Sequence, residues 1–84
     1  MLNVEFGSLA KRFLKNCNKD LQERILAKIE KLRENPFPQE VKRVEGKKDK
    51  IFRVRVGKYR ILYAVFLEQN ALLIADIDDR ESVY

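Results

Sequence analysis

The apolar residues change their period at Ile51, and this change constrains the fold more than any other feature of the chain. Before it, apolar residues recur at spacings of four, four and three, at Leu21, Ile25, Ile29 and Leu32. That is the period of a helix buried along one side. After Ile51, apolar and polar residues alternate, as in strands with one buried face. A layer of helices packed on one sheet is therefore expected.

The first half of the chain also contains a short strand and a second helix. Residues 1–6 alternate and predict the strand, and a helix of about two turns follows Ser8, its expected cap. Asn18 or Asp20 is the expected cap of the longer helix. Pro36 ends that helix, because proline disfavours a helical residue before it.

The second half predicts a meander. Its strands cover residues 51–56, 59–67 and 71–77, with turns at Gly57-Lys58 and Gln69-Asn70. A two-residue loop that begins with glycine favours a type II′ turn. The predicted fold is a single α+β domain over residues 1–84, with an antiparallel twisted sheet of about four strands in the order β-α-α-β-β-β. The two-helix hairpin packs on one face, and the first strand joins an edge of the meander.

Positive charge is concentrated in residues 41–60. This stretch carries nine positive and two negative side chains, a net charge of +7. Residues 1–40 carry +2 and residues 61–84 carry −4, which brings the whole chain to +5. Like charges in a small domain repel one another, and a polyanionic partner relieves that repulsion. The distribution therefore indicates a polyanionic partner.

Composition excludes several other classes of protein. There is no histidine, which removes the commonest general base and most zinc sites, and no metal or cofactor is expected. The single cysteine, Cys17, excludes an internal disulfide and is interpreted as a small apolar residue between the helices. No apolar run approaches the roughly 20 residues that span a membrane, and no signal peptide is visible, so a cytoplasmic protein is expected.

The Gly57-Lys58 loop predicts where the arginines of the hairpin lie. A two-residue loop places Arg55 opposite Arg60, and directly opposed residues share a face of the sheet. Arg53 lies two residues from Arg55 and so joins the same face. The residues expected on the opposite face, toward the helices, are Phe52, Val54, Val56, Tyr59, Ile61 and Tyr63. Because the planar guanidinium fork suits phosphate oxygens, three arginines on one patch indicate an anion site.

Two other interpretations of the charges stay open. The three arginines could form a solvated face with counter-ions nearby. If Gln69-Asn70 is also a two-residue loop, Asp79 lies across from Arg60, and a surface ion pair would account for Arg60. This pattern gives Arg53 and Arg55 no acidic partner, so it does not account for them. The flanking lysines are Lys47, Lys48, Lys50 and Lys58. They either bind RNA together with Arg53 and Arg55 or add only diffuse electrostatic attraction.

Two segments give the chain a family resemblance. Residues 51–63, with the pattern V-G-x-Y-R-I-x-Y, and the ending R-x-x-V-Y at 80–84 resemble the RelE/ParE superfamily of toxin–antitoxin systems. The resemblance covers essentially the whole chain. It implies a toxin that enters the ribosomal A site and cuts messenger RNA at the 2′-oxygen without metal. It also implies a cognate antitoxin bound in a hetero-oligomer, the ribosome and messenger RNA as partners, and no membrane.

The same resemblance assigns the catalytic residues, which are Arg53, Arg55, Arg60, Arg80 and Tyr84. Attack by the 2′-OH builds negative charge on the phosphate, and Arg60 and Arg80 are the expected clamp for it. Tyr84 would stack a base or orient the 2′-OH. Arginine stays protonated and is no general base. Asp78 or Asp79 could pair with an arginine, act as a weak base, or quench the site.

Two alternative functions share this fold. One is a ParE-type inhibitor of DNA gyrase, and the other is a catalytically weak domain that binds RNA or a partner. The arginine and tyrosine set favours the nuclease, because ParE-type proteins generally lack the full set. The missing histidine motivates the binding domain.

Overall fold

A computed structural model describes residues 1–44 and 50–79 of the chain. Its elements, in chain order, are β1 (Asn3–Phe6), α1 (Ser8–Asn16), α2 (Lys19–Glu34), β2 (Lys42–Arg43), β3 (Phe52–Val56), β4 (Tyr59–Phe66) and β5 (Ala71–Asp79). A single 3₁₀ turn, Leu67–Gln69, joins β4 to β5. In this part of the chain, neither helix has the length and apolar character needed to cross a bilayer.

The strands form one five-stranded sheet in the order β1-β5-β4-β3-β2. The predicted α+β class and the meander β3-β4-β5 are confirmed. Two details differ from the sequence prediction. A fifth strand, β2, pairs antiparallel with β3, and β1 runs parallel to β5 in an otherwise antiparallel sheet. With only two residues, β2 is too short to show an alternating pattern, and the direction of β1 depends on a partner far along the chain.

Helix α2 supplies much of the core. Its predicted apolar residues are all buried, namely Leu21, Ile25, Ile29 and Leu32. The Asn18 side chain caps the helix by accepting a 2.8 Å hydrogen bond from the Leu21 backbone N–H. The predicted Asn18 cap is thus confirmed, and the alternative at Asp20 is wrong because Asp20 lies inside the first turn.

Helix α1 begins differently from the prediction. Gly7 occupies the cap position without a side-chain hydrogen bond, and Ser8 is the first helical residue. The Gly7 N–H donates to the Ile74 carbonyl at 2.8 Å, and a Cβ on Gly7 would lie 3.2 Å from the Ala75 carbonyl oxygen. The junction of β1 and α1 is therefore held against β5 so closely that a side chain there would crowd the strand.

The helices cover one face of the sheet. The strand residues buried beneath them include Val54, Val56, Ile61, Tyr63, Leu72, Ile74 and Ile77. Tyr63 is fully buried, its hydroxyl donates a 2.6 Å hydrogen bond to the Pro36 carbonyl, and burial raises its pKa above the usual value. Tyr59 packs edge-on against Phe13, with ring centroids 5.6 Å apart. The core positions predicted for both tyrosines are confirmed.

Candidate nucleic-acid interface

The β3–β4 hairpin has the predicted register. Its loop is Gly57-Lys58, with a left-handed φ of 61° at Gly57 and none at Lys58, as a type II′ turn requires. Arg55 lies opposite Arg60, and Arg53 lies opposite Leu62. Because alternate residues share a face, the three arginines lie together on the side of the sheet away from the helices.

These arginines line one pocket of about 280 Å³, here called the cationic pocket. Its lining residues are Glu40, Lys42, Arg53, Val54, Arg55 and Arg60. Lys42 enters through β2, where it lies directly opposite Arg53. Four cations and one carboxylate thus surround a space large enough for a phosphate group, and such a cluster attracts polyanions.

The three arginines differ in how firmly they are held. Arg55 is exposed and Arg53 is half-buried, and within residues 1–44 and 50–79 neither forms an ion pair. Arg60 is only 8% exposed. The cationic pocket therefore combines Arg53 and Arg55, which form no ion pair within the described residues, with Arg60, which is buried and paired.

Asp78 holds Arg60 through a two-pronged contact. The Arg60 Nε donates to Asp78 Oδ1 at 3.0 Å, and Nη2 donates to Oδ2 at 3.3 Å. The alternative with a two-residue Gln69-Asn70 loop placed Asp79 opposite Arg60, and that register is wrong by one residue. The β4–β5 loop is longer than two residues, since Phe66 pairs with Ala71, and a bulge between Leu62 and Tyr63 shifts the register again. These two irregularities bring Asp78 opposite Arg60.

Asp79 contacts the hairpin turn instead. Its Oδ2 lies 3.6 Å from the Lys58 Nζ, which is also 5.6 Å from the centroid of the Tyr59 ring. The Lys58 side chain remains more than half exposed. Lys50, just before β3, is exposed as well. The RNA-binding roles of both lysines stay predictions.

Two charged lining residues, Lys42 and Glu40, were missed in the site prediction. Lys42 belonged to the basic stretch, but only its pairing with Arg53 through β2 shows that it faces the pocket. Glu40 follows Pro38 in a turn that has no periodic signal. It accepts a 3.0 Å hydrogen bond from Lys28 Nζ, and this bond holds the pKa of Glu40 below its usual value.

A second carboxylate accompanies Asp78 on β5. Asp76 lies opposite Leu62, two residues from Asp78, and its Oδ1 accepts a 2.8 Å hydrogen bond from the Ile77 N–H. Burial raises the pKa of Asp76, and the charge of Asp78 adds to that effect. The face that carries the cationic pocket is thus bordered by carboxylates along β5.

Four predicted site residues lie outside the described part of the chain. They are Lys47, Lys48, Arg80 and Tyr84. The proposed clamp of Arg60 with Arg80 and the stacking role of Tyr84 therefore stay predictions. The described members of the predicted catalytic set, Arg53, Arg55 and Arg60, lie together as the sequence predicted, and their catalytic role stays a prediction.

Comparison with known proteins identifies the class to which this fold belongs. The profile of the ParE toxin of type II toxin–antitoxin systems, parDE, matches residues 4–84. A Methanocaldococcus jannaschii relative, named as the toxin RelE1, is 40% identical over 89 aligned positions, covering 98% of this chain and 93% of the relative. The chain therefore belongs to the RelE/ParE superfamily, and it is the toxin of a RelBE-type toxin–antitoxin system.

Solved structures show the same fold. The archaeal RelE–RelB complex from Pyrococcus horikoshii matches with a TM-score of 0.79 and 26% identity, covering 94% of each chain. The E. coli RelBE toxin–antitoxin complex matches with a TM-score of 0.81 and 17% identity, covering 94% of this chain and 96% of that one. At 17% identity, the likeness to the E. coli complex concerns the fold alone.

Proposed function

We propose that this toxin is a ribosome-dependent endoribonuclease that cuts messenger RNA and inhibits translation in the cytoplasm. The observation that carries the proposal is the cationic pocket, where Arg53, Arg55 and Arg60 converge from two neighbouring strands. Arginine binds phosphate oxygens through paired parallel hydrogen bonds. The 40% identity to the RelE1 toxin supports the toxin role on which this proposal builds.

The reaction proposed is an internal phosphoryl transfer. The 2′-oxygen bonds to the adjacent phosphorus, the bond from phosphorus to the 5′-oxygen breaks, and the products are a 2′,3′-cyclic phosphate and a 5′-hydroxyl. The 2′-OH gives its proton to a carboxylate or water, and the departing 5′-oxygen takes up a proton from water. The arginines stabilise the charge that builds on the phosphate oxygens, and this step needs no metal.

A cognate antitoxin is the proposed protein partner. RelE is complexed with RelB in the Pyrococcus horikoshii and E. coli structures. In this chain, exposed apolar side chains and the net charge of +5 suit a segment that is both apolar and acidic. Co-expression with such an antitoxin is expected to relieve the growth arrest caused by the toxin alone.

The test is expression in cells, with primer extension on a reporter messenger. The wild-type chain should produce new 5′ ends that require translation, and Arg55→Ala should abolish most of them. Arg43→Ala is the matched control, because Arg43 is an exposed arginine that lies opposite Phe52 and so alternates away from the pocket. Equal loss in both variants would mean that general charge, not the pocket, drives cleavage.

Gyrase inhibition is the second candidate, and the match to the ParE toxin profile over residues 4–84 favours it. Growth arrest with intact messenger and broken DNA would establish it in place of the nuclease. Binding of RNA without cleavage or arrest would instead indicate a catalytically weak domain.

A further inference from the structure

We propose that Asp78 is a positioning residue, which fixes the Arg60 guanidinium so that it can stabilise the phosphate during cleavage. This inference rests on the proposed nuclease function. Three features carry it: the direct opposition of Arg60 and Asp78 on neighbouring strands, their two-pronged contact, and the burial of Arg60.

The contact determines the orientation of the guanidinium plane. A single hydrogen bond would leave the group free to rotate, whereas bonds from Nε and Nη2 to two carboxylate oxygens fix both its position and its tilt. They use two of the five N–H donors of arginine, along one edge of the planar group. A fixed cation needs no reorganisation when charge develops on the substrate.

Asp78 also offsets the energetic cost of placing Arg55 and Arg60 opposite each other. Arg55 lies directly opposite Arg60, and like charges in that position repel. Arg60 is further desolvated, since only 8% of it is exposed. A carboxylate on the other side of Arg60 offsets both costs, because β4 lies between β3 and β5. The row Arg55, Arg60, Asp78 therefore orders one guanidinium and leaves the other exposed to solvent.

This placement has opposite consequences for binding and for turnover. Asp78 carries a negative charge beside the cationic pocket, so it weakens attraction of RNA. It also orders the group that acts on the phosphate, so it favours the chemical step. If Asp78 served only stability, its replacement would not change kcat and KM together. A smaller folded fraction lowers apparent kcat and leaves KM unchanged.

The experiment compares Asp78→Asn with Asp76→Asn on ribosomes carrying messenger RNA. Both variants remove one carboxylate from the same face, and the Asp76→Asn variant keeps the Arg60–Asp78 pair. For Asp78→Asn, kcat is expected to fall about 10- to 100-fold while KM falls about two- to fivefold. Asp76→Asn should lower KM alone, and Asp78→Glu should recover part of kcat. Equal kcat values in the two asparagine variants would overturn the proposal.

A second measurement decides the matter even if the wild-type chain cleaves no RNA. Nitrogen-detected NMR of the Arg60 Nε–H reports whether the guanidinium is ordered, with or without a 2′-deoxy RNA that cannot be cut. A slowly exchanging Nε–H that is lost in Asp78→Asn and kept in Asp76→Asn supports positioning by Asp78. An unchanged signal in Asp78→Asn refutes it. Absence of cleavage by the wild type would count against the nuclease alone.

Discussion

The two faces of the β3–β4 hairpin use alternate residues of the same strands for different tasks. On the helix side, Val54 and Ile61 are almost completely buried. On the open side, Arg53 and Arg55 keep contact with solvent beside a pocket. Arg60 is the exception, since it lies on the open side and is nevertheless buried and paired. Residues that stabilise the fold are therefore separate from those proposed to bind phosphate at most positions of this hairpin, and Arg60 is the position that would do both.

The largest expected loss of stability comes from a substitution on the helix side of the hairpin. Ile61→Ala removes a fully buried side chain and should lower the free energy of unfolding by about 3 kcal/mol. Arg55→Ala, on the open side of the paired strand, should change it by less than about 0.5 kcal/mol. Urea unfolding followed by circular dichroism measures both. Equal losses would show that the two faces are not energetically distinct.

Arg60→Ala should cost about 2 kcal/mol, because it leaves the partly buried Asp78 carboxylate without this partner. Replacing both members, as Arg60→Leu with Asp78→Leu, should recover most of that loss, since an apolar pair leaves no charge uncompensated. The same urea titration tests this. A double variant no more stable than Arg60→Ala would mean that the attraction within the ion pair sets the stability. The cost of an uncompensated Asp78 carboxylate would then be small.

Tyr63→Phe isolates one polar contact within the apolar face. It keeps the ring and removes the hydroxyl that donates to the Pro36 carbonyl, so the expected loss is about 1 kcal/mol. Thermal unfolding measured by calorimetry provides the comparison with the wild type. Phe13→Leu, which changes an aromatic contact without removing a hydrogen bond, is a suitable control. No loss in Tyr63→Phe would show that the carbonyl finds another donor.

The smallest effect concerns pH. Folding raises the pKa of Asp76, so around the usual aspartate pKa the native state holds more protons than the unfolded chain. The contribution of Asp76 to stability is therefore fully present at acid pH and declines as pH rises through the raised pKa. Asp76→Asn, which keeps an oxygen for the Ile77 N–H, should be more stable than the wild type at neutral pH by less than about 1 kcal/mol. The difference should vanish in acid, and unfolding series across pH would reveal it; a difference that persists there contradicts the pKa shift.

Local patterns accounted for much of the fold. The spacing of Leu21, Ile25, Ile29 and Leu32 predicted the buried side of α2, because helical neighbours are only a few residues apart. The Gly57-Lys58 dipeptide predicted the register of β3 and β4, since the loop length fixes which residues face each other. The same reasoning brought Arg53, Arg55 and Arg60 to one face.

Features that depend on distant residues were not predictable in this way. The bulge beside Leu62 and the longer loop after Phe66 each move the register of β5, and together they exchange Asp79 for Asp78 as the partner of Arg60. A bulge has no reliable local signal when both strands alternate on either side of it. Likewise, Lys42 reaches the pocket only through a two-residue strand.

The parallel pairing of β1 with β5 has a consequence for the order of assembly. Asn3 aligns with Ala71, so β1 is synthesised well before its partner β5 and must wait for it. The β3–β4 hairpin, by contrast, can close as soon as its own residues are available, because its contacts are local. A nascent chain that stalls before β5 can therefore form the hairpin, while β1 lacks the strand that completes the sheet.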